Sequence, residues 1–339
     1  METALLNGNK KKDIMEAAAL LKAGGLVAIP TETVYGLAAN ALNGSAVKRI
    51  FEAKGRPQDN PLIVHIASLD TLPKLVAAVP SAALALADRF WPGPLTIILP
   101  KASCIPNEVS AGLETVAVRF PSHPVARAII KASGLPLAAP SANTSGRPSP
   151  TKAEHVLHDL SGKIEAVVDG GDCGVGLEST VVSLAGDWPR LLRPGGVTHE
   201  QLEEVLGSVE IDPAVTHAVQ KNAVVSSPGM KYKHYSPKAR VVILKGGGED
   251  YIRYVNAHKR EGTAALCFDE DAAALQVPAV SLGPEEDGEE QARRLFDALR
   301  TIDQMGAALA YARCPQQTGV GLAVYNRLIR AAAFEVIEL

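Results

Sequence analysis

The stretch from Ala138 to Thr151, AAPSANTSGRPSPT, constrains the fold of this chain more than any other. Its prolines fix φ and remove backbone donors, and its serines, threonines and asparagine favour hydrogen bonds to neighbouring backbone, so we do not expect a helix. The apolar run that precedes it, residues 134–139, is typical of a buried strand. We therefore predict a loop at a strand end, where a rigid sheet commonly holds a ligand. The alternative is a Ser/Pro-rich surface turn without a role.

Length and composition indicate a globular protein with two domains. A chain of 339 residues exceeds what one ordinary core organises, and 47% hydrophobic with 21% charged residues are globular values. The 29 glycines and 23 prolines indicate many tight connections, as in a mixed α/β protein. The formal net charge of -3 gives no overall attraction to nucleic acid or to an anionic membrane, so a site for a polyanion must be local.

The sequence also predicts where the protein resides and the state of its thiols. No apolar run approaches the ~20 residues that span a bilayer, and residues 1–12 lack the apolar core of a signal peptide, so we expect a cytoplasmic protein without membrane contact. The cysteines stand far apart without a CxxC pair, which argues against a zinc site and against a disulfide framework. We expect reduced thiols and no metal site built by the protein. The cysteines are Cys104, Cys173, Cys267 and Cys314.

Polar and cationic side chains follow several predicted strands in the first two thirds of the chain. Hydroxyls at residues 31–35 follow one strand, Lys54 and Arg56 lie on a loop bounded by glycine and proline, and Arg119 ends another strand. Each feature has an ordinary structural explanation, because threonines favour strands, cations interact with a helix dipole and arginines reach towards solvent. His65, among aliphatic residues, would by default be a hydrogen-bonded core histidine.

Together these strand ends indicate a site for an anionic ligand. The sequence contains no GxSxG motif, no cysteine near a histidine in a plausible motif and no closely spaced pair of carboxylates, so no activated nucleophile is evident. The glycine-rich residues 170–176 lack the lysine of a P-loop. Hydroxyls, amides and cations suit a site that orients a phosphate-bearing ligand and stabilises charge. They do not suit covalent catalysis.

The last third of the chain alternates strand and helix patterns, as in a small parallel α/β domain. The segment that connects it to the first domain contains SPGMKYKHYSP at residues 227–237, which is too rich in aromatic and cationic residues for a passive spacer. We predict that this segment is a lid that excludes water from the site, and docking of one domain on the other is the alternative. The predicted divisions are a catalytic domain at 10–207, a linker or lid at 208–238 and a C-terminal domain at 239–339.

Five short motifs follow one another in the first two thirds of the chain. They are PTETVYGL at 30–37, KGRPQDNPL at 54–62, APSANTSG at 139–146 with Ser149, ESTVV at 178–182 and RPGG at 193–196. In this order they resemble the motifs of the YrdC family. A further motif, PGMKYKHY at 228–235, and the α/β tail resemble the long two-domain members of that family, so the resemblance covers nearly the whole chain. It implies a strongly twisted mixed-sheet YrdC-like domain with a central cavity, plus a smaller Rossmann-like parallel α/β domain.

The resemblance also implies an activity and a set of site residues. The implied reaction joins L-threonine, bicarbonate and ATP, with Mg²⁺, into L-threonylcarbamoyladenylate and pyrophosphate, and a downstream threonylcarbamoyl-transferase would use that product on tRNA. By position, the threonine-binding residues would be Thr33, His65, Arg119, Ala139 and Ser179, with the Arg119 guanidinium on the carboxylate. The ATP-binding residues would be Arg56, Asn60, Thr115, Ser141, Ser149, Arg193 and, from the linker, Tyr235, and Lys54 and Arg56 would be the catalytic cations.

Two other functions are considered. The first is an RNA-binding module, because YrdC-like domains have a concave basic face that Lys48, Arg49, Lys54 and Arg56 could line; the net charge and the lack of interleaved aromatics count against it. The second is a carbamoyltransferase of the hydrogenase-maturation type, which shares the domain. Such proteins resemble longer chains with zinc-binding cysteine pairs, which this sequence lacks. No residue is evident in the sequence as the group that activates the threonine amine.

Overall fold

The computed structural model describes residues 2–217 and 235–339, which form two compact units. The first unit contains residues 2–145 and 149–215, and the second contains 146–148, 216–217 and 235–339. Residues 218–234 are not described, so only residues 208–217 and 235–238 of the predicted linker or lid at 208–238 lie within the described residues.

The described part of the first unit is built on one large mixed sheet. Its strands are β1 (Ala4–Asn7), β2 (Val27–Ile29), β3 (Gly36–Asn40), β4 (Ile63–His65), β5 (Leu95–Pro100), β6 (Thr115–Arg119), β7 (Leu137–Ala138), β8 (Ala166–Asp169), β9 (Thr180–Ser183), β10 (Arg190–Arg193) and β11 (Glu210–Ile211). Its helices are α1 (Lys11–Lys22), α2 (Gly44–Lys54), α3 (Leu72–Leu75), α4 (Ser81–Phe90), α5 (Asn107–Ser110), α6 (Pro124–Ser133), α7 (Ala153–Leu160) and α8 (His199–Leu206).

The sheet order places the ends of distant segments beside one another. The strands run in the order β1-β8-β2-β3-β7-β4-β6-β5-β9-β10-β11, with parallel and antiparallel neighbours mixed. In the middle of the sheet β6 pairs in parallel with β4 and antiparallel with β5. On the other side of β4, β7 leads directly into the loop at residues 139–151, as the sequence predicts. The centre of the sheet therefore positions this loop, which is called the motif loop below.

Helix boundaries follow local signals where those signals are strong. Helix α6 begins at Pro124, directly after His123, whose side chain accepts a hydrogen bond from the Val125 N–H, and it ends at Gly134 with φ of 67°. The sequence also predicts a helix over 69–79, and this is wrong in its second half. A short 3₁₀ turn at Leu69–Thr71 is followed directly by α3. Helix α3 ends at Leu75, because Val76 adopts an extended conformation and forms a β-bridge with Lys101.

The second unit contains a separate sheet whose neighbouring strands all pair in parallel, in the order β14-β13-β15-β12-β16. A large mixed sheet in one unit and a parallel sheet in the other confirm the predicted fold class. Sequence reasoning missed three strands here, β14 to β16. The strands are β12 (Arg240–Lys245), β13 (Thr263–Cys267), β14 (Ala279–Ser281), β15 (Leu309–Arg313) and β16 (Val336–Glu338), and the helices are α9 (Gly248–Ala257), α10 (Gly288–Gln304) and α11 (Gly319–Ala331).

Within residues 2–217 and 235–339, none of the helices combines the length and the apolar character that crossing a membrane requires. The cysteines are free thiols, of which Cys104 is exposed and Cys173 and Cys267 are buried.

Candidate active site

Three neighbouring strands of the first unit place polar side chains in one row. The register pairs His65 of β4 with Arg119 of β6, and Arg119 with Thr96 of β5. All three residues are buried, with relative exposures of 2%, 4% and 0%. Buried polar groups are costly unless they find partners, so their contacts define what the site can bind.

The Arg119 guanidinium is held by residues from two loops. Its Nη1 donates to Thr33 Oγ1 at 2.8 Å, its Nε donates to the Gly93 carbonyl at 3.4 Å, and its Nη2 lies 2.8 Å from Glu32 Oε1. The first two contacts occupy two of the five N–H donors of a guanidinium, and the third is an ion pair. The side chain is thus fixed in one orientation, and it keeps donors for a further partner.

Glu32 is the carboxylate beside this guanidinium, and its side chain is 13% exposed. Its Oε2 accepts from the His123 backbone N–H at 3.4 Å. Burial alone would raise the pKa of Glu32, but Arg119 and the backbone N–H groups of Glu32 and Ser122 outweigh it and hold the pKa below the usual value. Glu32 is therefore an anion at neutral pH.

His65 is a neutral imidazole in this environment. Burial, with a smaller contribution from the charge of Arg119, lowers the pKa of His65 to about 3. Its Nδ1 lies 3.2 Å from the Ile63 carbonyl, which also accepts from the Ala139 N–H at 3.0 Å. A neutral imidazole that donates through Nδ1 has an acceptor at Nε2. His65 can therefore accept a hydrogen bond from a hydroxyl or amine.

Ser179 connects the row to a second arginine. Its Oγ lies 2.7 Å from Thr96 Oγ1 and accepts from Arg193 Nη2 at 3.2 Å, while the Ser179 carbonyl accepts from Arg193 Nε at 3.0 Å. The structure thus brings the five residues expected to bind threonine into one neighbourhood. They are Thr33, His65, Arg119, Ala139 and Ser179.

Lys54 organises the motif loop. It is the last residue of α2 and 3% exposed, and its ammonium group donates to the carbonyls of Ser141 and Asn143 and, at 3.4 Å, to Asn143 Oδ1. The Ser145 N–H donates back to the Lys54 carbonyl at 2.9 Å. Burial, with the nearby charge of Arg56, lowers the pKa of Lys54 to about 7. Its N–H groups point at the protein, so Lys54 shapes the loop rather than standing open to a phosphate.

The residues expected to bind ATP are more widely spread. Arg56 Nη2 donates to the Asn60 carbonyl at 3.2 Å, and Ser149 Oγ donates to Glu178 Oε1 at 2.5 Å. Thr115 begins β6, four residues before Arg119 at its end, so about 13 Å of strand separates them.

Tyr235 lies in the second unit. It is 5% exposed, and its ring centroid is 5.2 Å from that of Phe296. The Arg327 guanidinium carbon lies 6.0 Å from the same Tyr235 centroid. The predicted role of Tyr235 at ATP stays a prediction.

Sequence reasoning missed three polar groups of this neighbourhood. Glu32 stands between two threonines of a quoted motif and Glu178 begins another, so both could have been found as carboxylates beside predicted ligand residues. Thr96 lies in an apolar strand and gives no local signal, because its partners Arg119 and Ser179 are distant in sequence.

The fold and these contacts define an α/β protein whose mixed sheet presents buried cations, hydroxyls and a lysine-held loop, which is the arrangement of an enzyme domain for anionic ligands. Residues 19–195 match the Sua5–YciO–YrdC family model, described as telomere recombination, and residues 197–333 match the model of the threonylcarbamoyl-AMP synthase C-terminal domain. The chain belongs to the Sua5–YciO–YrdC family, with the second domain of its threonylcarbamoyl-AMP synthase members.

Individual relatives agree with this assignment over nearly their whole length. The chain is 51% identical to a threonylcarbamoyl-AMP synthase of Bacillus subtilis, over 96% of this chain and 94% of that protein. It is 48% identical to one of Pyrococcus abyssi, over 95% of each chain. The crystal structure of P. abyssi Sua5 complexed with L-threonine is similar, with a TM-score of 0.92, 44% identity and 100% of both chains covered.

Proposed function

We propose that this chain is a threonylcarbamoyl-AMP synthase, a nucleotidyltransferase that forms L-threonylcarbamoyladenylate and pyrophosphate from L-threonine, bicarbonate and ATP. The observation that carries this proposal is the buried row of His65, Arg119 and Thr96 with Thr33 and Ser179 around it. These are neighbouring strand-end groups that can hold a small, polar, charged molecule. Relatives of nearly equal length share the name of this activity.

The threonine half of the site follows from the donors and acceptors that the row offers. The Arg119 guanidinium is fixed in orientation and can take a carboxylate in a charge-assisted, bidentate contact. The acceptor at His65 Nε2 and the hydroxyl pair of Thr96 and Ser179 suit the substrate hydroxyl. A site that hydrogen-bonds a hydroxyl discriminates strongly against an analogue that lacks it.

The ATP half of the site is built on the motif loop. Lys54 fixes the backbone at Ser141 and Asn143, and Arg56 and Arg193 supply positive charge for the phosphates. The carbamate oxygen of the carboxylated threonine attacks the α-phosphate in line, and pyrophosphate leaves. Positioning and electrostatic stabilisation supply most of the barrier reduction in such phosphoryl chemistry, so no protein nucleophile is required.

Mg²⁺ belongs to this proposal as a companion of ATP. Within residues 2–217 and 235–339, no three or more His, Cys, Asp or Glu side chains are grouped so as to hold a metal. Mg²⁺ commonly uses one or two carboxylates together with substrate phosphates, so ATP itself would supply most of its ligands here. When bound, the ion neutralises phosphate charge.

RNA binding through a basic face is less well supported by the geometry. Lys54 is buried, Lys48 lies 3.2 Å from Glu108, and Arg49 forms an ion pair with Glu165. These cations are therefore partly neutralised or withdrawn from solvent. We propose that tRNA enters only through a downstream threonylcarbamoyl-transferase that consumes the adenylate.

A coupled assay for pyrophosphate tests the proposal. Release from ATP should require L-threonine and bicarbonate together, because the attacking oxygen exists only after the amine has been carboxylated. Omission of either compound should reduce the rate to background. Pyrophosphate release that is unaffected by omitting bicarbonate would contradict the proposal.

A further inference from the structure

The carboxylate and guanidinium of Glu32 and Arg119 form a buried pair that mirrors the two charges of an amino acid. Glu32 Oε1 and Arg119 Nη2 are 2.8 Å apart, in side chains that are 13% and 4% exposed. The two atoms form an ion pair, and neither has a hydrogen-bond partner. Each atom therefore keeps capacity for a third group.

Backbone N–H groups orient the Glu32 carboxylate so that one oxygen faces Arg119. Its Oε2 is anchored by the His123 N–H, with the Ser122 N–H adding support, so Oε1 is held towards Arg119. An α-amino acid carries its carboxylate and its ammonium on one carbon. A substrate carboxylate on Arg119 therefore brings the ammonium nitrogen within reach of Glu32 Oε1.

We propose that Glu32 is the general base of the reaction, accepting a proton from the threonine ammonium through Oε1. This inference rests on the proposed function, since it requires threonine to bind at Arg119. One N–H bond of the ammonium breaks, its electron pair stays on nitrogen, and the proton moves to the carboxylate. Glu32 returns that proton to bicarbonate, which yields CO₂ and water. The free amine then forms the N–C bond with CO₂, and the resulting carbamic acid gives its proton to the Glu32 carboxylate, which releases it to solvent, and so becomes the carbamate.

The other titratable groups that face Glu32 are unsuited to this step. Burial lowers the pKa of His65 to about 3, which makes it a weak base. Burial also lowers the pKa of His123, and its Nδ1 already accepts from the Val125 N–H. Burial raises the pKa of the Cys173 thiol, so it stays protonated. Arg119 is a cation and cannot accept a proton.

Binding of the substrate changes the charges around Glu32. Burial raises the pKa of Glu32, and Arg119 together with the backbone N–H groups of Glu32 and Ser122 holds that pKa below the usual value. A substrate carboxylate on Arg119 offsets the positive charge that lowers the pKa, which favours protonation of Glu32. The ammonium beside Oε1 acts in the opposite direction until its proton has moved, after which the amine is neutral and only the effect of the carboxylate remains.

The dependence of kcat/KM for threonine on pH tests this role. Wild-type enzyme takes the ammonium form, so its kcat/KM should change less than about twofold per pH unit between pH 7 and 9. Glu32→Gln keeps the shape but not the charge, and it must rely on free amine from solution. Its kcat/KM should be at least ~10²-fold lower at pH 7 and rise about tenfold per pH unit.

Glu165→Gln is the matched control, because Glu165 is also an ion-paired carboxylate of the first unit, held by Arg49 away from the row. It should keep the wild-type rate and profile. A wild-type profile that itself rises tenfold per pH unit would overturn the inference without any variant. A flat profile for Glu32→Gln, or a folded Glu32→Gln as inactive at pH 9 as at pH 7, would also overturn it. If wild-type enzyme makes no threonylcarbamoyladenylate at all, the proposed function fails instead.

Discussion

Replacement of Lys54 by methionine tests whether the buried ammonium group holds the motif loop. Methionine keeps an unbranched chain of similar length and removes the donors to the Ser141 and Asn143 carbonyls. Hydrogen bonds from charged groups contribute roughly 1.5–3 kcal/mol each, so the two lost bonds amount to about 3–6 kcal/mol. Burying the ammonium is itself unfavourable, as the pKa of Lys54, lowered to about 7, indicates. We therefore expect the lower end, ~3 kcal/mol, which corresponds to at least ~10²-fold in kcat/KM for ATP.

Pyrophosphate release at varied ATP concentration measures this effect, and Lys48→Met is the control. Lys48 lies on the same helix, α2, but its side chain is 51% exposed and pairs with Glu108 at the surface, so its loss should change kcat/KM less than about twofold. Thermal unfolding should occur at a lower temperature for Lys54→Met than for Lys48→Met, because the two lost hydrogen bonds belong to the folded protein. If Lys54→Met retains kcat/KM within about threefold of wild type, Lys54 does not hold the loop in its active shape.

Further predictions concern substrate choice, pH and the linker. Serine should be a poorer substrate than threonine by ~1–3 kcal/mol for the missing methyl group, and valine should be rejected more strongly because it lacks the hydroxyl; equal kcat/KM for threonine and valine would contradict the proposed pocket. The pKa of His65 is lowered to about 3, so between pH 6.5 and 3 the unfolded state binds more protons and stability falls with falling pH. His65→Gln should remove up to ~1.4 kcal/mol per pH unit of that fall, as measured by urea unfolding at pH 6.5 and 5. The predicted lid role of Tyr235 implies that Tyr235→Ala leaves stability nearly unchanged. In the structure Tyr235 is buried against Phe296, so Tyr235→Ala should lower the free energy of unfolding by ~3 kcal/mol. An unchanged melting temperature would contradict this.

The sequence predicts best those helices and strands whose bounds are set by residues within the element itself. The sequence predicts a helix over residues 124–133, and α6 has these bounds, because proline at the start and Gly134 after the end both act within one turn. Strand β15 (Leu309–Arg313) was missed because LAYAR has no alternating pattern and its alanines and leucine also favour helix. It is a strand because it lies between β12 and β13 in the parallel sheet.

The site was predictable as a set of residues but not as a set of contacts. The motifs contain Thr33 and Lys54, and Arg119 ends a predicted strand, yet the contacts seen in the structure depend on partners far along the chain. Arg119 meets Thr33 across 86 residues, and Lys54 meets the Ser141 carbonyl across 87. No local pattern specifies such pairs, so the hydrogen bonds of Lys54 to the carbonyls of Ser141 and Asn143 could not be predicted from the sequence.

Mass spectrometry of the reaction product tests the central claim most directly. Purified protein would be incubated with L-threonine, ATP, Mg²⁺ and either ordinary or ¹³C-labelled bicarbonate, and quenched rapidly because the adenylate is labile. We predict a species with the mass of L-threonylcarbamoyladenylate, formed together with pyrophosphate, whose mass increases by one unit with the labelled bicarbonate. Formation of ADP and phosphate alone, or of an adenylate that does not take up the label, would contradict the account.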